Sequence, residues 1–118
     1  LYSIYGFTTL MSKQISVKSI KSSGESLKQM YNESVTYITN IGFKKIPVES
    51  VTDKKNTVRT YLFTHGKEKI ILEYCKDEYE EVLKVAFSPM EIKFVYDILL
   101  LRFNQLARNK ENKIFIYK

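Results

Sequence analysis

The sequence predicts an α+β domain: a mostly antiparallel sheet in the order β-α-β-β-β-β-α-β, with two helices packed on one face. Three observations carry this. Two stretches repeat apolar residues at helical spacing, each behind a capping signal. Between them, runs rich in β-branched and aromatic residues alternate about short polar turns. The parity of those runs leaves one face continuously apolar, as a sheet lying under helices requires.

Ile15, Val17 and Ile20 predict a short first strand. Ser22-x-x-Glu25 has capping-box spacing, and Leu27, Met30, Tyr31, Val35 and Ile38 follow at helical spacing, so the first helix is expected over about 24–41. Gly42 is its C-terminal stop. Phe43 to Val48 reads as a strand, and Pro47, which lacks a donor, assigns it to a sheet edge. After a polar loop come strands over about 57–64, 69–76 and 79–87, with Gly66 in the first turn and Asp77-Glu78 as the second. A two-residue turn pairs odd positions with even ones. Tyr61 and Phe63 then lie beside Ile70 and Leu72, and those beside Leu83 and Val85. The other face carries Thr60, Leu62, Ile71, Glu73, Cys75, Val82, Lys84 and Ala86, a mixture expected to be solvated or lightly covered. Ser88-Pro89-Met90-Glu91 combines a cap, a first-turn proline and a box-closing glutamate, so the second helix is expected over about 89–108. Lys113 to Tyr117 returns as a last strand. Over roughly 15–108 this order of elements resembles that of TATA-binding-protein-like half repeats and of helix-grip domains; no motif accompanies the likeness, and it carries no function.

With 118 residues the chain fits one domain, assigned to 13–118. Such a chain buries roughly two-thirds of its unfolded surface and needs no metal or disulfide to fold. Met11-Ser12-Lys13 reads like a natural start, so residues 1–12 are expected to form an unordered or added extension. The one cysteine, Cys75, has no internal partner, which favours an intracellular chain. No apolar run approaches the roughly 20 residues of a membrane span, so no membrane partner is expected.

The residues that carry chemistry elsewhere are sparse here. His65 is the only histidine, placed beside a turn glycine; a triad or His-rich metal site needs partners that the sequence does not display. Cys75 lies near Asp77, Glu78 and Glu80, whose charge opposes a reactive thiolate. Asp77, Glu78, Glu80 and Glu81 straddle a tight turn without a calcium-loop pattern, and read as a solvated hairpin tip. No Gly-rich phosphate or dinucleotide loop is present. Neither an enzyme nor a cofactor is expected.

Two features remain. The net charge is +6 and unevenly spread: residues 1–59 hold nine Lys/Arg against four Asp/Glu, whereas residues 60–82 hold three against six. Lys44, Lys45, Lys54, Lys55 and Arg59 surround the loop before the meander, a cluster that suits phosphate contacts and makes nucleic-acid binding the alternative function. The second feature ranks above it. In the second helix Ile92, Val95, Tyr96, Leu99, Phe103 and Leu106 form a sheet-facing stripe, while Phe94, Ile98 and Leu101 form another apolar flank. A surface helix normally has one stripe, and monomers rarely leave a contiguous apolar patch exposed. The sequence therefore favours a non-enzymatic interaction protein, self-associating or a subunit of a larger assembly.

Overall fold

A computed structural model of the chain describes residues 13–19, 26–52, 56–88, 93–106, 108 and 112–117. The elements come in the expected order: β1 (Lys13–Ser19), α1 (Ser26–Asn40), β2 (Lys44–Thr52), β3 (Thr57–His65), β4 (Glu68–Lys76), β5 (Glu81–Phe87), α2 (Lys93–Leu106) and β6 (Asn112–Tyr117). The six strands form one sheet in the order β2-β3-β4-β5-β1-β6, and every neighbouring pair is antiparallel. The links β1-α1-β2 and β5-α2-β6 each join parallel strands. They run in opposite directions along the sheet from oppositely directed strands, so crossovers of one hand set both helices on the same face.

That face holds the core. Leu27, Met30, Tyr31 and Ile38 of α1, with Val95, Tyr96, Leu99 and Phe103 of α2, bury against Ile15, Val17, Phe63, Ile70, Leu72, Leu83, Val85 and Phe87. Gly42 ends α1 as expected. It takes a φ of +111°, the Phe43 amide donates to the Ile38 carbonyl, and the Gly42 amide donates to Thr39. This is a Schellman closure, with buried Phe43 and Ile38 as its apolar pair. Pro47 lies on an edge strand as expected, and β2 runs on past it to Thr52 by means of a bulge between Pro47 and Glu49. Gly66, at φ +61°, opens the β3–β4 turn, where no side-chain-bearing residue has to adopt positive φ.

The second hairpin differs from expectation. Its loop is Asp77–Glu80, four residues, because Asp77 Oδ1 accepts the amides of Tyr79 and Glu80 at 2.7 and 2.9 Å while the Asp77 amide donates to the Glu80 carbonyl. An Asx turn thus replaces the two-residue turn. Two added residues keep the parity but slide the register, so Leu72 faces Val85 and Tyr74 faces Leu83. The acidic tip is also not uniformly solvated. Glu80 pairs with Lys18 at 2.7 Å, and Glu81 is only 2% exposed, its Oε2 accepting the Tyr74 hydroxyl at 2.6 Å.

Register assembles one feature invisible along the chain. Thr52, Thr57, Lys76, Glu81, Ser19 and Asn112 face one another in turn from β2 to β6, a polar row on the helix-covered side where the apolar core stops. The opposite face is closed at its centre: Ile71 and Ala86 are fully buried, and the buried Glu73 accepts the Thr60 hydroxyl at 3.2 Å. Of the two expectations for this face, solvated or lightly covered, its centre meets the second. Ser88, expected as a helix cap, accepts the Lys69 amide through its hydroxyl at 2.8 Å and so extends the β4–β5 pairing. Residues 89–92, like the capping box at 22–25 and the extension 1–12, lie outside the described residues.

Candidate interaction surface

The buried stripe of α2 alternates with side chains that the fold leaves out. Val95, Leu99 and Phe103 are fully enclosed, whereas Phe94 is 51% and Leu101 60% exposed; Ile98 between them is half-buried. Phe94 and Leu101 are seven residues apart, two helical turns, and so stand on one line along α2. Arg102 approaches Glu33 of α1 at 3.6 Å. Half-exposed, this pair stabilises by at most about 1 kcal/mol, but it indicates which side of α2 faces α1. The outermost strand adds a second open apolar place, since Phe115 and Ile116 of β6 are each about two-fifths exposed.

Among the described residues, the basic side chains picked out in the sequence, Lys44, Lys45 and Arg59, divide between the two faces of the sheet. Lys44 pairs across from Thr64 on the side away from the helices. Lys45, one residue on, turns to the helix side, where its ammonium lies 5.1 Å from the centre of the Tyr61 ring. Arg59 is also on the helix side, facing Ser50 and Tyr74. Lys54 and Lys55 fall outside the described residues.

Arg59 has other company. It lines a cleft of about 180 Å³ between α1 and the β2–β4 end of the sheet, together with Lys28, Lys76, Tyr31, Tyr74 and Thr57. Sequence reading missed Lys28 and Lys76 because they come from a helix and a strand 48 positions apart. Tyr31 and Tyr74 were concealed by type, since aromatic residues at helical and strand spacing read as core.

Cys75 is half-buried beside Glu73, and its thiol is pushed up to about 12 by burial and then by the Glu73 carboxylate, with Lys84 opposing. A thiol held protonated is a poor nucleophile. His65 is exposed, its ring 5.3 Å from that of Phe43. Among the described residues no group of three His, Cys, Asp or Glu is placed to hold a metal ion, and no helix is long and apolar enough to cross a membrane. No protein-family model matches the chain, and no curated protein matches its sequence significantly.

Proposed function

We propose that this is a non-enzymatic interaction protein that associates with a second copy of itself through the outer line of α2. The observation that supports it is the exposure of Phe94 and Leu101 on a helix whose sheet-facing Val95, Leu99 and Phe103 are fully enclosed. Burying two such side chains contributes about 1.5–3 kcal/mol each. A two-fold axis near Ile98 sets two α2 helices antiparallel, so that Phe94 of each copy meets Leu101 of the other. A line apolar at both ends is therefore self-complementary, which an isologous contact requires.

Leu101→Glu tests it. Because Leu101 is exposed, the variant folds and melts like the parent, while a carboxylate without a counter-charge in the contact abolishes association. Ile98→Glu is a harsher probe, since Ile98 is half-buried and the same change there also strains the monomer. A Leu101→Glu protein that keeps the parent's molar mass contradicts the proposal.

A further inference from the structure

We propose that the cleft between α1 and the β2–β4 end of the sheet binds the phosphate group of a small phosphate monoester. Three cations from three elements line it: Lys28 of α1, Arg59 of β3 and Lys76 of β4. Sheet register fixes two of them, because Arg59 faces Tyr74 and Lys76 faces Thr57 in adjoining rows of the helix-covered side. The one carboxylate in these rows, Glu81, already accepts the Tyr74 hydroxyl at 2.6 Å and faces Lys76. Three positive groups against one negative match a dianion, and a bound dianion relieves their mutual repulsion.

Tyr31 supplies the independent observation. It lines the same cleft, is 3% exposed, and its hydroxyl has no hydrogen-bond partner. A buried hydroxyl without a partner costs free energy, so it calls for an acceptor. Burial holds the phenol far above its ordinary pKa, hence protonated and able to donate, and the Arg59 charge is felt by both Tyr31 and Tyr74. The ring is fixed by its neighbours, with its centre 6.3 Å from that of Tyr61 and 5.6 Å from that of Tyr74. A rigid donor beside a guanidinium is the pairing that oxyanions accept. The volume corresponds to about six waters, enough for a phosphate and the first atoms of its ester but not for a long chain.

The test is titration of the ¹⁵N-labelled protein with inorganic phosphate and with phenyl phosphate, against sodium chloride at equal ionic strength. The expected result is saturable shifts confined to residues around 28–32, 57–59 and 74–76, tighter for the monoester. Arg59→Ala weakens binding by roughly tenfold or more, and Tyr31→Phe, which keeps the ring stack, by about tenfold. Both variants melt cooperatively, which separates lost binding from lost fold. Shifts that chloride reproduces, or binding indifferent to both substitutions, overturn the proposal. So does a single-stranded oligonucleotide that binds through Arg59 while neither small phosphate does, because the cleft then serves a polymer.

Discussion

Tyr74→Phe probes the polar row most sharply. The Tyr74 hydroxyl donates to Glu81 at 2.6 Å, and Glu81 is 2% exposed beneath the helices. Phenylalanine keeps the ring, the packing against Tyr31 and the strand, and removes one donor. The loss is that of a hydrogen bond to a buried carboxylate, about 1.5–3 kcal/mol. Unfolding entropy near 2.1 cal/mol/K per residue gives about 0.25 kcal/mol/K for a chain of this length, so Tm falls by roughly 6–12 °C. Urea denaturation followed by circular dichroism measures the cost, with an unchanged slope confirming that only stability moved. The double variant Tyr74→Phe/Glu81→Leu recovers much of the loss, because replacing both partners strands neither. A Tyr74→Phe cost below about 0.5 kcal/mol refutes the reasoning, for it means that water from the adjoining cleft replaces the lost donor at Glu81.

Three further outcomes follow from the same geometry. Leu72→Ala, at a fully buried position between Tyr61 and Val85, costs about 2–5 kcal/mol by the same denaturation; under 1 kcal/mol contradicts the register. Cys75, with its thiol pushed up to about 12 by burial and the Glu73 carboxylate, reacts with an aromatic disulfide at pH 8 at least about tenfold more slowly in the native protein than in urea, and equal rates contradict its burial. The two amides that Asp77 accepts hold its carboxyl below the ordinary range, so its contribution is complete at neutral pH and is lost as pH falls from about 4 through the lowered value. Asp77→Ala therefore flattens the acid side of the stability–pH curve, and an unchanged curve contradicts the Asx turn.

Particular residues show how far the sequence carries. Gly42, Pro47 and Gly66 are legible because each meets a local backbone requirement: a left-handed helix stop, a missing donor at an edge, a turn needing positive φ. The two-stripe pattern of α2 is legible for the same reason, since helical spacing sorts residues without reference to anything distant. The Asp77 loop was misjudged because a carboxylate that caps two amides is indistinguishable, by type, from one that faces water. Glu81 was hidden by the same ambiguity: alternation with Leu83 and Val85 sets it on the helix-covered face, and its bond to Tyr74 shows that it is held there rather than solvated. The cleft is the extreme case. Lys28, Arg59 and Lys76 share no spacing, and it takes sheet register plus the placement of α1 to gather them.

The central claim, association through α2, is tested most directly by sedimentation equilibrium of the parent chain and of Leu101→Glu at two salt concentrations. The account predicts a parent mass approaching twice 13.9 kDa, and a folded variant at the single-chain mass. Each copy carries a net charge of +6, so the parent dimer tightens as salt screens the repulsion. A parent that stays at the single-chain mass at about 100 μM in 0.5 M salt, where both repulsion and dilution are removed, contradicts the account. So does a Leu101→Glu protein that sediments with the parent.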